Sequence, residues 1–188
     1  THASTTMPAY DLIAHIERAF DGVPRTDTSL RQFQLTDLHG MGEDFPEREW
    51  TAAGRQRTDA AWQDIADAEL EAGQVVLAHM PADDFRYFLP AHLRHVLRHL
   101  HVPAWQSEVA GMTLAALTPA VRAGSSRDYT LGQFAGLDAI QRAAIVQVLS
   151  FLAESDAAVD LAAQAWQALD SYWRQAVPAS EPDGHRTA

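Results

Sequence analysis

The sequence predicts an all-α fold, a single-domain irregular bundle of six or seven helices. Apolar residues recur at three- and four-residue spacing along most of the chain, as they do on the buried face of a helix. No stretch bounded by turn residues alternates with the period of two that marks a strand. No internal repeat is visible, so a solenoid is excluded. At 188 residues the chain fits one domain, and a chain of this size hides roughly 70% of its unfolded surface. The domain is expected over 7–177, with 1–6 and 178–188 as flexible ends.

The first helix is expected from Pro8 to Phe20, where Leu12, Ile13, Ile16 and Phe20 share a face. Asp21-Gly22-Val23-Pro24 ends it. Residues 25–49 fit a short helix, a strand or a loop about equally. Asp59 is expected to cap a helix over 60–72, with Gly73 as its stop. Gln74 to His79 is a short apolar run, either helix or connector.

Pro81 opens the next helix, and Asp83 and Asp84 suit the positive end of its dipole. Pro90 lacks an N–H and crowds the carbonyl of Arg86, so a kink or break is expected there. A second segment then runs through His99. Trp105 to Leu117 reads as a helix, and 122–130 as a loop. Asp138 and Gln141 have capping-box spacing for a helix running to about Ala153. Its apolar residues cover half its circumference, the profile of a central helix. Ser155 begins the last helix, in which Val159, Ala162, Trp166, Leu169 and Trp173 repeat by three and four.

Composition narrows the function classes. The net charge is −11, and the acids are scattered rather than blocked. Such a field repels nucleic acid and anionic membranes. There is no Cys, which removes disulfides and thiolate metal sites. All 14 non-His basic residues are Arg. No apolar run reaches the length of about 20 residues that a membrane span needs, and THASTTMPAYD carries no signal pattern. A cytoplasmic protein is expected, with no nucleic-acid or membrane partner. No Gly-rich phosphate loop or Gly-x-Ser-x-Gly elbow is present. The five Trp are read as core and core edge.

Several short motifs stand in a fixed order. Leu12-Ile13-Ala14-His15-Ile16-Glu17-Arg18-Ala19-Phe20 precedes Val23-Pro24. Trp62, Asp64 and Ile65 follow, then Phe85-Arg86-Tyr87-Phe88-Leu89-Pro90-Ala91. Gln141-Arg142-Ala143-Ala144 and Tyr172-Trp173-Arg174 close the series. This order resembles an uncharacterised bacterial family of unknown function, over most of residues 10–175. The resemblance implies a compact bacterial domain and supplies no activity.

The chemically densest stretch is Asp83 to His101, DDFRYFLPAHLRHVLRHLH. Arg86, flanked by Phe85 and Tyr87, could stack on a ring and offer its fork to an anion. Arg86, Tyr87 and His92 are therefore candidate binding residues, and a structural ion pair at Arg86 is the competing expectation. At 100° per residue, His92, His95 and His99 fall within roughly 60° of one another. They flank the apolar face, with Arg94 and Arg98 near the opposite side. His95 and His99 are four apart, a spacing that holds one divalent metal. His92 or Asp84, or the neighbouring Asp83, would be the third ligand. The competing expectation is a boundary stripe with ring nitrogens left wet.

Two functions follow. The first is a non-enzymatic interaction domain, adaptor or immunity-like, without a cofactor and with another protein as partner. The second is a metal-dependent hydrolase using a divalent metal such as Zn on the His92/His95/His99 stripe.

Overall fold

Helix α1 (Ala9–Ala19) follows Pro8 and buries Leu12 and Ile16, with Phe20 completing the stripe at its C-cap. These belong to a computed structural model that describes residues 8–176 apart from 41, 43, 74 and 75. The ends expected to be flexible, 1–6 and 178–188, lie outside the described residues. Four-residue spacing puts the three side chains in one line, and that line packs on α5 (Ala82–Arg98) and α8 (Ala139–Glu154).

The open question over 25–49 resolves as helix. Ser29 starts α2 (Leu30–His39) through a reciprocal capping box with Gln32. The Gln32 amide donates to Ser29 Oγ at 3.2 Å, and the Ser29 amide donates to Gln32 Oε1 at 2.8 Å. A further helix, α3 (Glu47–Arg55), packs against α2. Glu47 and Glu49 lie in its first turn, where carboxylates oppose the exposed amides.

The helix expected over 60–72 is not formed as such. The chain makes a 3₁₀ turn at Trp62–Asp64, and only then α4 (Asp67–Ala72), which stops at Gly73 as expected. Asp59 caps nothing here because its carboxylate is buried and committed elsewhere. It takes two hydrogen bonds from Arg57 at 2.8 Å and one from Tyr87 at 2.5 Å. Asp64 instead accepts from the Ala60 and Ala61 amides, each at 3.0 Å.

Pro90 does not break α5, a single run of 17 residues after Pro81. A mid-helix Pro costs about 3 kcal/mol. Opposing it, Phe85 and every residue from Tyr87 to Leu97 are buried. Each large apolar side chain there contributes about 1.5–3 kcal/mol, so burial outweighs the lost hydrogen bond several times over. Short segments surround α5: α1, α4, α6 (Val109–Ala116), α7 (Ser125–Ala135) and two 3₁₀ turns, Trp62–Asp64 and Val76–His79.

Helix α6 is shorter than expected, and Trp105, read as core, lies in the turn before it with 82% of its surface exposed. Helix α7 occupies part of the expected loop. Gly124, at φ 149°, admits the chain to it, and buried Gln133 donates to the carbonyls of Ala78 and Met80. Helix α8 starts at the expected capping box, with Gln141 N to Asp138 Oδ1 at 2.8 Å.

Helix α9 (Val159–Ala168) packs along α8 through small residues, Ala165 and Ala168 being fully buried. A π turn at Leu169–Trp173 then carries Trp173 into the core, where its Nε1 donates to the Leu117 carbonyl at 2.8 Å. The result is an all-α bundle of nine helices and no strand among the described residues. The two unforeseen elements, α3 and α7, account for the excess over six or seven. No single helix among them is long and apolar enough to cross a membrane.

Candidate functional site

The aromatic-Arg motif is structural in its contacts. Tyr87 is fully buried, and its hydroxyl donates to Asp59. Burial, and then the Asp59 hydrogen bond and charge, push its hydroxyl pKa above the usual range. Arg57 lies over the rings of Tyr87 and Phe88 and donates to the Thr26 carbonyl. Arg86 turns the other way. Its Nε donates to Gln141 Oε1 at 3.1 Å, and its Nη2 stands 3.8 Å from Asp138 Oδ2. Arg86 thus braces the capping box of α8, while Tyr87 and His92 make their hydrogen bonds to Asp59 and to the Phe88 carbonyl.

The His stripe is more enclosed than its flanking position implied. His92 and His95 are buried, and so is Arg94, expected on the outer side. Arg94 donates to the carbonyls of Gln63 and Ile65 at 3.0 and 2.9 Å. His92 Nδ1 bonds the Phe88 carbonyl at 2.8 Å, and its Nε2 is buried without a partner rather than wet. Asp83 and Asp84 stand at the far end of α5. Eleven steps of unbroken helix separate Asp84 from His95, about 16 Å of rise. Neither acid joins the His residues.

Two acids of α4 do. Asp67 and Glu71 are four apart, matching His95 and His99, and the two helices run antiparallel. His95 Nε2 meets Glu71 Oε1 at 2.9 Å, and His99 Nε2 meets Asp67 Oδ2 at 2.9 Å. The His95 and His99 rings lie 4.3 Å apart. Ser107 donates its hydroxyl to Glu71 Oε1 at 2.9 Å. His95 Nδ1 and Asp67 Oδ1 are buried and make no hydrogen bond.

Burial, and next the charge of His99, lower the pKa of His95. Burial works to raise the pKa of Asp67, but the hydrogen bond from His99 and the charges of His95, His99 and Arg98 leave it lowered. One ligand atom each from Asp67, His95 and His99 falls within 4.8 Å of the others. His101 lies beside His99, at 6.5 Å between rings, outside that group.

A cavity of about 580 Å³ opens on the other side of Ser107, between α6, α9 and the turn after α5. Leu100, Ala110, Met112 and Leu161 supply apolar lining, and Asp156 and Asp160 stand exposed on the α9 side. Trp105 is exposed next to the lining residue Ala104.

Sequence reasoning missed Asp67, Glu71 and Ser107. A usable signal existed in DAELEA, whose acids repeat at the same four-residue interval as His95 and His99.

The chain belongs to DUF6714, a family of unknown function, which it matches over residues 9–177. No curated protein and no solved structure shows detectable similarity to it.

Proposed function

We propose that this DUF6714 member is a non-enzymatic protein-interaction domain, adaptor or immunity-like, whose α6–α9 groove receives a basic amphipathic helix of another protein. One observation carries this reading: an apolar-lined cavity of about 580 Å³ is bordered by Asp156 and Asp160, on a chain with net charge −11. An amphipathic helix lays its apolar face into such a groove. Basic residues along its edges complement the two acids and speed encounter with an acidic domain. Trp105, exposed at the groove's end, is the residue type that anchors interfaces.

The test is fluorescence anisotropy with a panel of labelled amphipathic peptides that share one apolar face and differ in flanking charge. Arg-flanked peptides are expected to bind, and Glu-flanked ones to fail. Binding should weaken as salt screens the exposed charges, and Asp156→Lys with Asp160→Lys should remove most of it. Equal binding of both peptide classes, or indifference to the two substitutions, overturns the reading. Sedimentation that shows a dimer dissociated by the same substitutions would assign the groove to a second copy of the chain instead.

A further inference from the structure

We propose that Asp67, His95 and His99 form a binding site for one divalent transition-metal ion, separate from the groove. The three side chains come from two antiparallel helices, and their ligand atoms lie within 4.8 Å of one another. A metal bonded to two N or O ligands at about 2.1 Å holds them roughly 3.0–3.4 Å apart. His99 Nε2 and Asp67 Oδ2 already stand at 2.9 Å.

A second observation points the same way. The His95 side chain is only 3% exposed, yet its Nδ1 has no hydrogen-bond partner; Asp67 Oδ1 makes no hydrogen bond either, with Arg98 Nη1 standing 3.8 Å away. Buried polar atoms in folded proteins are nearly always paired. Glu71 accounts for the other ring nitrogen of His95, at 2.9 Å from Nε2. With Nε2 held by Glu71, Nδ1 is the ring nitrogen of His95 left without a hydrogen bond. A carboxylate holding the far side of a ligating imidazole fixes its tautomer and raises its basicity. Ser107 in turn holds Glu71.

The donor set selects the ion. Two imidazoles and one carboxylate suit Zn²⁺, Fe²⁺ or Co²⁺ and disfavour Mg²⁺ and Ca²⁺, which take oxygen ligands. Entry is open, because the His99 and Asp67 side chains are each 36% exposed.

The experiment uses the untagged chain purified without chelating resin, with Zn²⁺ in equilibrium dialysis and Co²⁺ in visible absorption. One equivalent of Zn²⁺ and a Co²⁺ ligand-field spectrum are expected. His99→Asn and Asp67→Asn should each abolish both signals while leaving the far-ultraviolet dichroism unchanged, since both residues are partly exposed. Glu71→Gln should weaken Zn²⁺ by about 10-fold or more. His101→Asn should change nothing. Binding of well under one equivalent overturns the proposal. So does binding that survives His99→Asn and Asp67→Asn, or that His101→Asn removes. In those cases the two His–carboxylate pairs serve only to join α4 to α5. Peptide binding in the groove is unaffected by either outcome at the metal site, so the two readings fail independently.

Discussion

Arg94 stacks over the Trp62 ring, its guanidinium carbon 5.2 Å from the ring centroid, and both side chains are buried. The same guanidinium donates to the carbonyls of Gln63 and Ile65, which the 3₁₀ turn leaves without helical partners. Burial first, and then the charge of Arg98, lower the pKa of Arg94. Arg94 therefore fastens the turn between α3 and α4 to the central helix.

Arg94→Ala strips the buried Ile65 carbonyl and the part-buried Gln63 carbonyl of their donor and uncovers one face of Trp62. The expected cost is about 2–4 kcal/mol, from one unsatisfied buried acceptor at about 1–3 kcal/mol and a lost cation–π contact of about 1 kcal/mol. Arg94→Lys should recover only part of this, because an ammonium cannot fork to two carbonyls while stacking. Urea denaturation followed by Trp fluorescence measures both.

Tyr87 and Asp59 form a buried pair at 2.5 Å, with Arg57 completing the group. Burial tends to raise the pKa of Asp59, but the hydrogen bonds from Arg57 and Tyr87 leave it lowered. A depressed carboxylate stabilises the fold above its unfolded pKa, and that contribution is lost as pH falls through the folded value. Tyr87→Phe removes one of the three hydrogen bonds to a charged acceptor, worth about 1.5–3 kcal/mol at neutral pH. The difference from wild type should shrink on acidification below about pH 4. Chemical denaturation at neutral pH and at about pH 3, below the ordinary carboxylate range, gives the two numbers. A difference undiminished by acid would sink the explanation.

His92 sets a second, higher acid limb. Burial lowers its pKa from 6.5 to about 4, against the pull of the Phe88 carbonyl and with a further push from the charge of His95. Between those values the unfolded chain binds more protons than the native one, so stability rises with pH across that window and is complete above it. Each tenfold drop in proton affinity on folding is worth about 1.4 kcal/mol, so the contribution reaches about 3 kcal/mol. His92→Leu should reduce the slope of the denaturation midpoint between pH 6.5 and about 4, with His95, also lowered, keeping part of it and the loss at lower pH that belongs to Asp59 and Asp67 remaining. An unchanged slope would show that His92 is protonated in the native state.

The sequence made local determinants legible and long-range ones opaque. The Asp138–Gln141 box and the Leu12–Ile16–Phe20 stripe depend on neighbours three and four residues away, and both stand as expected. Asp59 looked like a cap because its binding partner Tyr87 lies 28 residues ahead, beyond any local pattern. Pro90 looked like a breaker because the loss of one hydrogen bond is a local fact. The enclosure that offsets it comes from helices distant in sequence. Helix α7 was hidden by its polarity, since most of it faces solvent and shows little apolar periodicity. The same applies to the metal-site candidates. His95 and His99 announced themselves by spacing, whereas Asp67 required the knowledge that α4 lies antiparallel to α5.

The enclosure of α5 grades its imidazoles from sealed to open. His92 and His95 are buried, His99 is partly covered, and His101 is exposed. A water-borne reagent that acylates imidazole will meet His101 first and His99 next. It will meet His92 only when the bundle opens, because access to a sealed group waits on unfolding of the elements around it. Helix α5 and the turn after it thus carry a built-in clock for the opening of the fold, with His101 as the reference and His92 as the late mark.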